Sequence, residues 1–287
     1  MELPRSSAVA DLVYLPQTAS TNDDLLARVG NDPGLKEFSA VVTTSQTAGR
    51  GRLGRVWVAP PGQTLAASVL LKPRLPTGEV IPLNAFGWLP LLAGLAMTRS
   101  ITALLPASTV SLKWPNDVLV DGKKISGLLS ELLPAADGVI IGSGVNLAIP
   151  LADLPTPVST SLGLNEPVFD AVVQGGIMLG GQRLTAADLT SERLIDEVFG
   201  GYLEALRDLY TEFLSVGADA AVSGLLDDVS ERCSSLGQQV RVELPDGSTL
   251  LGVAIDLDPT GRLRVKSSAD GTVVAVAAGD VTHLRYE

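Results

Sequence analysis

The chain has 287 residues, 46% of them hydrophobic, and a formal net charge of −11. That length suits one large and one small domain with a sizeable core, and the acidic balance argues against a general nucleic-acid binder. A single cysteine, Cys233, and a single histidine, His283, exclude an internal disulfide and a Cys/His zinc cluster, and a serine–histidine nucleophile would have to use a histidine almost at the C-terminus.

Met1-Glu2-Leu3-Pro4-Arg5-Ser6 lacks the basic-then-apolar pattern of a signal peptide. The most apolar window, Leu89 to Ala96, is too short to span a bilayer and contains Pro90 and Gly94. A cytoplasmic protein with no membrane partner is expected, and residues 1–11 carry no assigned role.

Leu12-Val13-Tyr14-Leu15 reads as a short strand. Ser20, with Asp23 three residues on, resembles a capping box for a helix that Gly30 can end. Spacing alone makes Ser20-Thr21-Asn22 a helix cap and nothing more. Ala40 to Thr44 is a strand that leads into Gly49-Arg50-Gly51-Arg52-Leu53-Gly54-Arg55, and Thr64 to Lys72 is the next strand.

Between them the glycines remove Cβ atoms that would hold a backbone away from a ligand, and the arginines supply planar cationic forks for carboxylate or phosphate. A small anion suits such a loop on an acidic chain, and a solvated basic hairpin remains the alternative. Gly49 to Gly54 also satisfies G-x-G-x-x-G. That match is accidental, because strand-like Arg55-Val56-Trp57-Val58 and two prolines follow where a helix N-terminus would be needed.

Leu89 to Leu105 reads as a buried helix with Pro90 in its first turn. Val110 to Leu129 reads as hairpin strands around Lys113-Trp114-Pro115-Asn116-Asp117, with Asp121-Gly122 as a turn. Gly138 to Ile149 is a strand in which Gly142 and Gly144 mark either close approach of a ligand or backbone, or a β-bulge. Asn146 there would need partners if buried. Pro150, Pro155, Pro157 and Pro167 make the next stretch a loop, and residues 168–184 carry no clear pattern. Helical spacing returns from Ser191 to Phe213, and a short helix is expected over Asp219 to Leu226. Alternating strands from Gln239 to Val276, separated by Asp-Gly and Thr-Gly turns, read as a small barrel.

Four motifs together resemble the biotin–protein ligases. They are Ser20-Thr21-Asn22; Thr44 to Arg55 with Trp57; Lys113-Trp114-Pro115-Asn116-Asp117 with Lys124; and Gly142-Ser143-Gly144-Val145-Asn146-Leu147. The resemblance covers residues 12–150, and the second and third motifs are its specific part. It implies an α+β fold: a class II aminoacyl-tRNA synthetase-like catalytic domain with a mixed β-sheet over residues 1–232, and an SH3-like β-barrel over residues 233–287. The stretch before Ser20 is too short for the DNA-binding domain that some members carry, so the monofunctional kind is expected.

The resemblance also implies the chemistry. Biotin and ATP, with Mg²⁺, would give biotinyl-5′-AMP, and biotin would pass to a lysine of a biotin carboxyl carrier domain of a carboxylase. Ser20, Thr21, Asn22, Gln46, Arg50, Gly51, Arg52, Lys124 and Gly142 would surround biotin. Arg52, Arg55, Trp57, Lys113, Asn116 and Asn146 would hold ATP or the adenylate, with Trp57 packed on adenine. Lys124, Arg52, Asp117 and Lys113 would be catalytic. Asp117 could orient Lys124, bind the metal or assist deprotonation of the incoming lysine, while Trp114 and Pro115 shape the sheet. Residues 165–185 look like an insertion that puts the extent of the lid over the adenylate in question. A monomer or weak homodimer with no nucleic-acid partner is expected. The rivals are a lipoate- or octanoate-transferring relative, a non-catalytic biotin or nucleotide sensor, and a nucleic-acid binder using the loop arginines.

Overall fold

The computed structural model describes residues 1–165, 178–179, 182–183, 192–244, 246–277 and 280–284. Most of the stretch that looks like an insertion, 165–185, lies outside them.

Seven strands form the main sheet: β1 (Asp11–Tyr14), β2 (Ser39–Thr43), β3 (Thr64–Leu71), β4 (Val110–Lys113), β5 (Asp117–Val120), β6 (Lys123–Leu132) and β7 (Val139–Asn146). Their order is β1-β2-β3-β7-β6-β5-β4, with β1 and β2 parallel and every other pair antiparallel. The sheet is mixed, as the resemblance implies.

Period-2 alternation gives each central strand two faces. Leu65, Ala67, Val69 and Leu71 of β3, with Val139, Ile141 and Val145 of β7, enter the large core. Two helices lie over that core, α3 (Trp88–Leu104), apolar around most of its circumference, and α4 (Glu192–Ser215). The other face carries Leu70 and Ile140, which pack with Val41 under Leu25 of α2 (Thr21–Asn31). Ser20 caps α2, its Oγ accepting from the Asp23 amide at 3.4 Å. The helix runs one residue past Gly30, and Asp32, followed by Pro33, takes an extended conformation that stops it.

The N-terminal residues, without a role in sequence, hold α4. In the single-turn α1 (Pro4–Ser7), Ser6 donates its amide and hydroxyl to Asp196, and Arg5 forks onto Glu204 at 3.0 and 2.7 Å and onto Glu197.

The short helix expected over Asp219 to Leu226 begins later, as α5 (Leu225–Arg232). The Asp219 carboxylate accepts from the amides of Ala221 and Val222, closing a turn, and Gly224 is left-handed with φ 75°, so helical backbone starts only beyond it.

A second, antiparallel sheet contains β10 (Gln239–Glu243), β11 (Thr249–Leu257), β12 (Leu263–Ser267), β13 (Val273–Val276) and β14 (Asp280–His283), in the order β13-β12-β11-β10-β14. Its first four strands match the sequence reading, and β14, beyond the expected end at Val276, adds a fifth. The small antiparallel pair β8 (Met178–Leu179) and β9 (Gln182–Arg183) stands apart from both sheets. Two indoles bind the second sheet to the first unit: Trp88 Nε1 donates to the Pro259 carbonyl at 2.9 Å and Trp114 Nε1 to Gly261 at 3.1 Å. Trp114, expected to shape the main sheet, thus also reaches the second one. Among the described residues no helix is long and apolar enough to cross a membrane.

Candidate active site

Beyond the end of α2 the sheet face changes character. The register pairs Leu70 with Ile140, Ser68 with Gly142, Ala66 with Gly144 and Thr64 with Asn146. Side chains shrink and become polar along that row, so the face sinks from packed core into the floor of a cavity of about 670 Å³. Every residue singled out from the sequence lines it: Ser20, Thr21, Asn22, Gln46, Arg50, Gly51, Arg52, Arg55, Trp57, Lys113, Asn116, Asp117, Lys124, Gly142 and Asn146.

Gly142 and Gly144 do not mark a bulge, since β7 keeps unbroken register with both neighbours. They admit side chains from above. A Cβ on Gly142 would lie 2.4 Å from Asn22 Oδ1, and one on Gly144 would lie 2.4 Å from the Trp57 indole. The close approach expected of a ligand or backbone is therefore made, in the protein itself, by an amide and a ring.

At one end a hydrogen-bond chain fixes the amide-bearing residues. Gln46 Oε1 accepts from the Thr21 amide at 2.9 Å and from its hydroxyl at 3.2 Å, while Ser68 Oγ lies 2.7 Å from Thr21 Oγ1 and 2.5 Å from Asn22 Oδ1. Asn22 Nδ2 donates to Glu131 at 2.5 Å. Ser20-Thr21-Asn22 is thus a helix cap and a cavity wall at once.

The Gly-Arg loop crosses this end. It bridges Arg50 to Val56, with Leu53 left-handed at φ 55°, and the strand expected over Arg55 to Val58 is reduced to that one bridge. Arg50 ion-pairs with Asp23 at 2.5 Å and with Glu131 at 3.1 Å. Arg52 reaches Asn116 Oδ1 at 3.4 Å.

At the other end, the turn from Lys113 to Asp117 joins β4 to β5 through a cis Trp114–Pro115 bond. Asn116 donates its side-chain amide to the Leu128 carbonyl at 2.6 Å. Lys124 Nζ lies 2.6 Å from Asp117 and 5.8 Å from the centre of the Trp57 ring. An irregularity makes this meeting possible. Asp117 pairs with Gly127 but Leu119 pairs with Lys124, so Ile125 is an extra residue in β6. Lys124 and Gly127, an odd number apart, would otherwise face opposite sides; the bulge turns Lys124 onto the cavity face. The main chain of Lys124 also bonds to Val158 and Thr160, which draws the 155–159 loop in as a wall.

Several residues were missed in the sequence. Ser68 and Glu131 give only a polar interruption of a strand as signal. Val281, Thr282 and His283 of β14 also line the cavity. His283, which the sequence offers only as a lone late histidine, lies 3.0 Å from Ser235 Oγ, and that oxygen accepts the Trp114 amide at 3.2 Å. Among the described residues no group of three or more His, Cys, Asp or Glu converges as a metal site.

A mixed sheet with helices on both faces, an arginine–glycine loop over its polar end and a five-stranded antiparallel sheet docked alongside define an α+β protein with a small-molecule cavity at the polar end of its main sheet. The Biotin/lipoate A/B protein ligase family matches residues 14–146, and the Biotin protein ligase C terminal domain matches residues 235–284. A biotin--[acetyl-CoA-carboxylase] ligase of Mycobacterium tuberculosis is 34% identical over 276 residues, covering 96% of this chain and 89% of that protein. The bifunctional ligase/repressor BirA of Escherichia coli is 39% identical over 141 residues, covering 48% of this chain and 41% of its own length. A biotin protein ligase from Aquifex aeolicus, solved in complex with biotin and ATP, superposes with a TM-score of 0.67 at 24% identity, covering 96% of this chain and 99% of that one; it shares the fold. The chain belongs to the biotin protein ligase family.

Proposed function

We propose that this chain activates biotin with ATP and transfers it to a lysine of a biotin carboxyl carrier domain. The observation that carries this reading is the convergence of four separated motifs on one cavity, with Lys124 and Asp117 at its centre. In the first step the biotin carboxylate attacks the α-phosphate and pyrophosphate leaves. In the second the carrier lysine's ε-amine attacks the mixed anhydride and AMP leaves.

The end built by Ser20, Thr21, Asn22 and Gln46 takes the ureido ring, whose donors and acceptor match amide and hydroxyl groups. Arg50, Gly51 and Gly142 close around it. Lys124 and Arg52 hold the carboxylate as it becomes an anhydride. Arg55, Lys113, Asn116 and Asn146 hold the nucleotide, and Trp57 packs on adenine. A carboxylate and a polyphosphate repel, so the fixed cations carry the electrostatic part of catalysis. Asp117, paired with Lys124, orients that ammonium.

Mg²⁺ would arrive on ATP and offset phosphate charge. Such ions take few protein ligands besides phosphate, which suits a cavity offering Asp117 and the Asn146 Oδ1, a buried oxygen that accepts no hydrogen bond among the described residues.

We divide the chain into a catalytic unit, residues 1–232, and an SH3-like unit, residues 233–287. We place the protein in the cytoplasm as a monomer or weak homodimer. Its partner is the carrier domain of a biotin-dependent carboxylase, such as the acetyl-CoA carboxylase in the mycobacterial relative's name.

The test is pyrophosphate release from MgATP with and without biotin, then mass analysis of a carrier domain. Biotin-dependent release and a biotin-sized gain on one lysine are expected. Release driven by lipoate instead would replace the reading with a lipoate-handling relative.

A further inference from the structure

The loop arginine Arg50 and the α2 amide Asn22 belong to different segments, yet both end on one carboxylate. Glu131 accepts from Asn22 Nδ2 at 2.5 Å and from Arg50 Nη2 at 3.1 Å. On β6, Glu131 stands opposite Ile140, the last apolar residue of that row, and Leu129 stands opposite Gly142. It therefore sits at the line where the packed sheet face becomes cavity floor. It is also partly exposed, which suits a contact that can open.

Two consequences follow from that position. Asn22 is buried and must settle which way its amide faces. With Nδ2 on Glu131 and the Leu129 carbonyl, Oδ1 is turned to Ser68 and to the floor at Gly142, as an acceptor beside the cavity. Meanwhile Arg50, anchored by Glu131 and Asp23, holds the first turn of the Gly-Arg loop over that same end. A carboxylate is the one side chain that can accept both bonds and hold the guanidinium by charge.

We infer that Glu131 is a positioning residue that couples ureido recognition to loop closure, by fixing the Asn22 amide and latching Arg50 at once. The inference rests on the ligase reading above. Anything that tightens Asn22 on a bound ureido group also steadies the carboxylate that holds the loop. An adenylate formed beneath it is then retained until the carrier lysine arrives.

Two variants separate the two duties. Glu131→Gln keeps an oxygen for Asn22 but loses the charge for Arg50. Glu131→Leu loses both. Three quantities are read on each: KM for biotin in biotin-dependent pyrophosphate release, labelling of a bystander protein by escaped adenylate, and the rate of tryptic cleavage at Arg50, Arg52 and Arg55 with biotin and MgATP present.

Escape and loop cleavage should rise about threefold to fivefold in both variants, the range of a partly exposed ion pair. KM for biotin should rise about fivefold to tenfold in Glu131→Leu, the worth of a lost hydrogen bond. In Glu131→Gln it should rise only about twofold.

An equal rise in KM for biotin in the two variants would mark a merely structural residue and overturn the inference, as would no effect in either. Where Glu131→Leu does not fold by circular dichroism, the isosteric Gln variant decides alone: escape must rise more than KM. No biotin-dependent release from the wild-type chain would remove the ligase reading itself, and the inference with it.

Discussion

Lys124 and Asp117 are 2.6 Å apart on a cavity wall, with side chains 33% and 19% exposed. An ammonium so held is fixed before any ligand arrives, so its attraction to an anion needs no rearrangement. Lys124→Ala should lower biotin-dependent pyrophosphate release by about 10²- to 10³-fold with an unchanged circular dichroism spectrum. Near-normal release would remove Lys124 from the chemistry. Arg52, 3.4 Å from Asn116, spans from the loop to the Lys113–Asp117 turn. Arg52→Gly should therefore release adenylate, seen as biotinylation of bystander proteins above the wild-type level; labelling no higher than wild type would show that this contact does not hold the loop. At this scale much was legible, because glycines, arginines and a Lys-Trp-Pro-Asn-Asp run carry their chemistry in their identity. What sequence could not display was pairing. Glu131 looks like any charged residue in a strand until Asn22 and Arg50 arrive beside it from elsewhere in the chain.

Among the elements, strands and long helices follow from their periodicity, while their irregularities do not. The extra residue at Ile125 costs β6 a regular ladder and aims Lys124 into the cavity, yet nothing in Lys123-Lys124-Ile125-Ser126 announces it. The late start of α5 similarly depends on how the Asp219 side chain folds back on its own backbone. The N-terminal clamp gives a test. The hydrogen bonds from Arg5 hold the Glu204 carboxyl below the usual carboxylate range. In acid the unfolded state then binds more protons than the folded one. The contribution is complete above the unfolded value of Glu204 and is lost as pH falls through its lower, folded value. Arg5→Ala should lower the melting temperature by about 2–4 °C at pH 7. The gap from wild type should narrow as the carboxyl of Glu204 is protonated. A gap independent of pH would assign the loss to packing.

Across the whole molecule, the two sheets share more than a boundary. Trp88 and Trp114, both buried in the first unit, spend their only polar atoms on carbonyls of the β11–β12 turn. An indole nitrogen left without that carbonyl would be a buried donor with no partner. Trp114→Phe should cost about 1 kcal/mol, read as a fall of about 2–4 °C in a single thermal transition. Two separate transitions would show that the sheets melt independently. The barrel-like texture of the last segment was plain from its turns, but its contact with the cavity was not, because nothing in Val281-Thr282-His283 marks residues that meet motifs from the other end of the chain.

That last strand has a meaning in time as well as in space. Chains emerge from the ribosome N-terminus first at about 5–20 residues per second. Val281, Thr282 and His283, which line the cavity beside motifs laid down as early as Ser20, are polymerised after the rest of its lining. A nascent chain thus carries every arginine and lysine of the site well before it carries the complete enclosure, and a chain that stops short of β14 would leave one side of that chamber open to water.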